Sequence, residues 1–252
     1  MTAKEYGDKK SPAIMLLHGG GLAWWNYRDA AKALEDRCHV VIPALDGHAD
    51  SDRPFTSIED NAAELIKYID ENFGGKLCFI GGLSLGGQIL LEMLSQRRNI
   101  CGTAFIESAA VLPSKLTAAM LPPSIAASYG LIKKQWFAKA QFRSLRIKDD
   151  LYEDYYRDSC RISKADMTAF LTANQRYSLK DSISLTEAEL YIIYGTREIP
   201  QIKRSAELIH KAVPHSKLLP MKDLYHGQFS INSGNDYAKE VCHALDKNQA
   251  QA

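Results

Sequence analysis

No apolar run in this chain approaches the roughly eighteen residues that cross a bilayer, so no membrane-spanning helix is expected. The first ten residues contain no apolar core segment, which argues against a secretory leader. Neither charge is in excess. With 31 Lys and Arg against 30 Asp and Glu the net charge is +1, so nothing global points to nucleic acid or an anionic membrane as partner. C-x-x-C is absent, and the five cysteines (Cys38, Cys78, Cys101, Cys160, Cys242) are odd in number and widely spaced. They are expected to be small buried hydrophobes in a reducing cytoplasm, and a cysteine nucleophile has no local support. Repeats and low-complexity tracts are also missing. What remains is an ordinary composition, 46% hydrophobic and 24% charged over 252 residues, enough for one large domain or one domain with an insertion.

The most informative stretch is Phe79 to Gln88. The apolar run Leu77 to Ile80 predicts a buried strand, and Ile89 to Leu94 has helix-forming composition. Between them stands G-x-S-x-G: Gly82, Ser84, Gly86. A serine on a strained strand-to-helix turn needs neighbours without Cβ atoms, because strand and helix pass close by. Such a turn lifts the Ser84 hydroxyl clear of the sheet and aims the Leu85 N–H, at a helix N-terminus, towards developing negative charge.

Around it the chain alternates. Ala13 to Leu17 predicts a buried parallel strand that stops at His18-Gly19-Gly20-Gly21. Trp24 to Asp36 reads as helix, Cys38 to Ile42 as strand, and Ala44 to Pro54 as a loop dense in turn formers. The next helix starts at Thr56, which with Glu59 fits a capping box, or at Ser57 with Asp60; it ends at Gly74-Gly75. Gly102 to Glu107 is a further strand. This alternation predicts a mostly parallel sheet with helices on both faces. From about Val111 to Leu185 strand signals vanish, prolines cluster at Pro113, Pro122 and Pro123, and helical composition follows. That segment, 111–185, is expected to be a helical cap inserted in a core formed by 1–110 and 186–252. Strands resume at Leu190 to Tyr194 and Ser216 to Pro220, with a helix between them and a closing helix over Asp236 to Asn248.

A serine needs a base and an orienting acid. Of the seven histidines, His39, His210, His215 and His243 fall at strand starts or in helices, and His18 and His48 lie early, in loops at strand ends. His226 follows the last predicted strand, and open α/β sheets bind ligands outside the carboxyl ends of their strands. Glu198, after the strand Leu190 to Tyr194, completes the order Ser84, Glu198, His226. Glu107, at the end of the strand after the elbow, is its main competitor and Asp223 a lesser one. The alternative reading of Glu198 is a salt-bridged turn residue beside Arg197.

Taken together, His18-Gly19-Gly20-Gly21, the Asp46 to Asp52 loop, the Gly82 to Gly86 elbow, Gly195 to Glu198 and Tyr225-His226-Gly227 resemble an α/β-hydrolase-fold serine hydrolase of the esterase/lipase type with a helical lid. The resemblance implies about six or seven strands, and an oxyanion hole from the N–H groups of Gly20 (Gly21 as the lesser candidate) and Leu85. It implies no metal and no organic cofactor. The sequence departs in having Glu at the acid position, Ala49 where the loop commonly has Gly, and too few residues before Ala13 for the usual opening hairpin.

The expected reaction is hydrolysis of a carboxylic ester, or a thioester or lactone, with Gly21, Leu22, Trp24, Trp25 and Trp136 as candidate pocket walls. Dehalogenase and epoxide hydrolase chemistry are disfavoured, since those relatives carry Asp at the elbow. Carbon–carbon bond cleavage and a ligand-binding role with slow hydrolysis are the rivals. A basic run, Lys133, Lys134, Lys139, Arg143, Arg146 and Lys148, precedes the acidic segment Asp149 to Asp158. Either the two pair as neighbouring helices, or the run recognises an anionic part of the substrate. Oligomeric state leaves no trace in the sequence.

Overall fold

Strand formation follows the apolar runs. The computed structural model describes residues 1–249. Within them lie seven strands: β1 (Ala3–Tyr6), β2 (Ala13–Leu17), β3 (His39–Pro43), β4 (Leu77–Leu83), β5 (Cys101–Glu107), β6 (Glu189–Gly195) and β7 (Lys217–Met221). They form one sheet in the order β1-β3-β2-β4-β5-β6-β7. Every neighbouring pair is parallel except β1, which runs antiparallel to β3 from Ala3↔Pro43 to Tyr6↔Val40. The opening hairpin is thus reduced to one short edge strand.

The sheet is buried on both faces, which is why its central strands are continuously apolar. On β2, Met15 and Leu17 join a core with Leu65 and Ile69 of α2 (Ile58–Phe73) and Ile89 and Leu90 of α3 (Leu85–Gln96). Ile14 and Leu16 join the opposite core with Ala31 and Leu34 of α1 (Arg28–Leu34) and Tyr237 and Val241 of α10 (Gly234–Gln249). Helix α2 is capped by Ser57, whose hydroxyl accepts the Asp60 N–H at 3.0 Å, and not by Thr56, whose hydroxyl bonds the Asp60 carboxylate. Gly74, at φ 66°, closes it as expected.

Between β5 and β6 the chain is helical: α4 (Lys115–Ile132), α5 (Gln135–Leu145), α6 (Tyr152–Ser159) and α7 (Lys164–Arg176). Pro122 and Pro123 sit inside α4 and do not end it. Helix α8 (Pro200–Ala212) joins β6 to β7, and a short α9 (Gln228–Asn232) follows the His226 loop. Cys38 and Cys101 are buried as expected, whereas Cys78 is exposed. Among the described residues no helix is long and apolar enough to cross a membrane.

Candidate active site

Ser84 stands between β4 and α3 with φ 53° and ψ −110°, a backbone that a residue with a Cβ adopts only under strain. The flanking glycines are there for steric reasons. A Cβ on Gly82 would overlap the Gly86 carbonyl, and one on Gly86 would overlap the carbonyl of Leu17 on β2. The Ser84 N–H donates to the Glu107 carbonyl at 2.8 Å, fixing the turn to the end of β5.

His226 lies between β7 and α9, and its Nδ1 is 2.8 Å from Glu198 Oε2. The other oxygen of Glu198 accepts two bonds, from the Ser108 hydroxyl at 2.7 Å and the Gly195 N–H at 2.9 Å. Burial works to raise the pKa of this carboxyl, but the bond and charge of His226, with Ser108 and Gly195, outweigh it and hold it below its ordinary value. Glu198 therefore stays a carboxylate, and Nδ1 of His226 donates to it, which leaves Nε2 as the acceptor nitrogen. The loops that carry Glu198 and His226 are tied together: the Thr196 and Arg197 N–H groups donate to the Met221 and Leu224 carbonyls.

The other two candidate acids make no hydrogen bond to His226. Glu107 is buried and its Oε1 accepts the Ser230 N–H at 3.3 Å; burial pushes its pKa up to about 7. Asp223 is exposed and pairs with Arg197 at 3.0 Å. Ser108, which no sequence pattern singles out, holds the Glu198 carboxylate from just after β5 with φ 56°.

In the loop after β2, three consecutive N–H groups have different fates. Gly19 N–H donates to Asn26 Oδ1 at 3.0 Å and Gly21 N–H to His48 Nε2 at 3.0 Å. Between them the Gly20 N–H has no acceptor among the described residues. A Cβ on Gly20 would lie 3.5 Å from Leu85 Cβ, so this loop and the first turn of α3 are adjacent. The Leu85 N–H begins that helix and has no intrahelical acceptor. Two donors thus stand beside Ser84, and Gly21 is not one of them.

The sequence profile of the alpha/beta hydrolase family matches residues 14–227. The chain belongs to that family. An uncharacterised protein of Mycobacterium tuberculosis is 25% identical over 236 residues, which covers 82% of this chain and 67% of the relative. Among solved structures, a thermophilic esterase from Thermogutta terrifontis superposes with a TM-score of 0.79 at 16% identity, covering 98% of this chain and 93% of the esterase. The enol-lactonase of Burkholderia xenovorans does so at 0.79 and 14%, covering 97% and 96%. At such identities these likenesses show the fold.

In this alpha/beta hydrolase Ser84, His226, Glu198, Gly20 and Leu22 line one cavity of about 380 Å³. The other proposed walls are not in it. Trp25 is buried, with its indole N–H on Asp158 of α6 at 3.0 Å. Trp24 faces a second cavity of about 410 Å³ behind the loop, and Trp136 is exposed on α5. Aromatic residues seal several surfaces of a fold, and composition does not tell which. The basic run and the acidic segment after it do pack as neighbouring helices, with Phe142 of α5 against Tyr152 and Tyr155 of α6 and Lys139 over the Tyr152 ring, but among the described residues no ion pair joins them: Lys148 pairs with Asp29, and Asp150 with Arg28.

The two early histidines serve the loops. His48 donates from Nδ1 to the Asp46 carbonyl while accepting from Gly21, and His18 Nε2 accepts the Leu45 N–H at 3.3 Å. Burial lowers their pKa values to about 4 for His48 and about 3 for His18. Unfolded, each would take a proton near 6.5, so the stability they contribute is whole above that pH and lost as pH falls. For His48 the loss between pH 6.5 and 4 is about 3 kcal/mol. His48→Gln, which keeps an acceptor for Gly21 but cannot titrate, is expected to flatten the fall of Tm between pH 7 and pH 4.5. A Tm profile parallel to wild type would show that His48 does not carry this dependence.

Proposed function

We propose that this hydrolase cleaves a carboxylic ester through an acyl-enzyme on Ser84. The observation that carries the reading is the 2.8 Å contact of His226 Nδ1 with a doubly anchored Glu198, in a cavity that Ser84 also lines. With Nδ1 donating to Glu198, Nε2 is free to take the Ser84 proton as Oγ attacks the acyl carbon. The Gly20 and Leu85 N–H groups stand ready for the oxyanion of the tetrahedral intermediate. As the C–O bond breaks, His226 returns the proton to the leaving alkoxide. Water, losing its proton to His226, then attacks the acyl carbon, and the freed Ser84 oxygen takes that proton back. A lactone passes through the same steps as an internal ester, and a thioester differs only in its leaving group. The helices of 111–185 fit a lid, since Ser144 to Ile147 line the cavity from that side. The free cysteines fit a reducing cytoplasm.

A fluorophosphonate reagent tests the nucleophile directly. It is expected to label the wild type on the peptide bearing Ser84 and to leave Ser84→Ala unlabelled. An unlabelled wild type, or equal labelling of the variant, would remove the reading.

A further inference from the structure

Arg146 ends α5 in the left-handed region, at φ 57°, one of few residues other than glycine to do so. That turn is held firmly. Its carbonyl accepts from Gln228 Nε2 at 2.6 Å and from Asn232 Nδ2 at 3.0 Å, both on α9. The same Gln228 side chain accepts the Tyr225 N–H at 2.8 Å. One amide therefore registers the turn carrying Arg146 against the loop carrying His226. The guanidinium lies over the Tyr225 ring, 3.9 Å from its centroid, and Arg146 lines the cavity that holds Ser84 and His226.

Its charge is uncommitted. None of the described carboxylates lies within 4 Å of it, whereas the other arginine of this cavity, Arg197, pairs with Asp223. Glu198 is engaged by His226, Ser108 and Gly195. Leu22, Leu83, Ile147 and Ile231 supply apolar wall around it. A neutral ester offers this cation only uncharged carbonyl and ether oxygens as acceptors. A carboxylate would meet the planar fork with two charge-assisted bonds.

We propose that the substrate is an ester bearing a free carboxylate, and that Arg146 is the residue that selects it. The inference rests on the ester-hydrolase reading of the same site. Being fixed at both carbonyl and ring, the guanidinium is oriented before the substrate arrives, so little side-chain freedom is lost on binding.

Three chain-matched esters test it: 4-nitrophenyl hexanoate, mono-4-nitrophenyl adipate with the carboxylate on the acyl side, and 4-carboxyphenyl hexanoate with it on the alcohol side. Wild type is expected to favour at least one carboxylate ester in kcat/KM over 4-nitrophenyl hexanoate, and the preference should shrink in 0.5 M NaCl, where the screening length is roughly half that at physiological strength. Arg146→Gln should lower that preference about tenfold, the lower end for a charge-assisted pair because the guanidinium is partly exposed. Arg146→Lys should lower it less. Which carboxylate ester responds tells the side on which the anion sits. Calorimetric binding of the same esters to Ser84→Ala, with and without Arg146→Gln, separates recognition from chemistry. Selective weakening of the carboxylate ester there supports the proposal even if wild type turns over no ester, an outcome that would sink the hydrolase reading alone. Hydrolysis of all three esters with ratios and binding untouched by Arg146→Gln overturns the role of Arg146 and leaves the nucleophile standing.

Discussion

Replacing Ser84 with alanine is expected to lower kcat for ester hydrolysis by about 10⁴-fold or more, with KM moving less than about threefold. The hydroxyl takes part only in bond making, whereas the cavity walls and the N–H groups of Gly20 and Leu85 remain to bind the ester. Alanine keeps the Cβ and hence the backbone strain at φ 53°, so the fold should be undisturbed. Ser84→Gly separates the two properties. It removes the hydroxyl and also relieves a conformation that costs on the order of 1 kcal/mol or more. It should therefore be as inactive as Ser84→Ala but more resistant to urea by about 1 kcal/mol. Turnover of either variant near the wild-type rate would end the proposal that Ser84 forms an acyl-enzyme.

The parts legible beforehand are those whose physics is local. Ala13 to Leu17 and Leu77 to Ile80 read as buried strands because they are short continuous apolar runs bounded by glycine or proline, too short for a buried helix. β1 escaped notice because Ala3-Lys4-Glu5-Tyr6 is an edge strand whose charged residues face water, and its pairing is fixed by β3, more than thirty residues on. The sequence leaves the cap of α2 open between adjacent hydroxyls, since Thr56 and Ser57 satisfy the same pattern and only the backbone decides for Ser57. Pro122 and Pro123 argue locally against a helix, and the packing of α4 against α7 overrides them.

The site shows the same division. Ser84, Gly20 and His226 carry recognisable neighbours, whereas Ser108, Gln228 and Asn232 act through contacts of 82 residues or more in sequence separation. A lone serine after a strand gives no hint that its hydroxyl will hold a carboxylate 90 positions away. Arg146 was visible as one cation in a basic run. Its distinction, a fixed turn and the lack of a partner carboxylate, belongs to the packing of α9 against the end of α5.

Glu198→Gln is expected to lower kcat by about 10³–10⁴-fold, and Glu107→Gln by less than about threefold. At Glu198 the direction follows from hydrogen-bond bookkeeping. Oε1 receives two donors, the Ser108 hydroxyl and the Gly195 N–H, so a glutamine must place its oxygen there and turn its NH₂ towards His226 Nδ1. Nδ1 then has to accept, the ring proton moves to Nε2, and the imidazole cannot take the Ser84 proton. Glu107 makes no bond to His226, and its Oε2 has no partner among the described residues. Stability should respond in the opposite sense to activity. Burial keeps the Glu107 carboxyl protonated in the fold up to about pH 7, against 4.5 for an ordinary glutamate. The stability it contributes is whole below 4.5 and falls as pH rises through 7, a loss of about 3 kcal/mol. Glu198, with its lowered pKa, contributes stability above the ordinary carboxylate range and loses it as pH falls. Glu107→Gln should thus gain up to about 3 kcal/mol in urea unfolding at pH 8 and almost nothing at pH 4.5. If Glu107→Gln is instead the variant that loses activity, the acid of the triad is Glu107 and the role given to Glu198 is wrong.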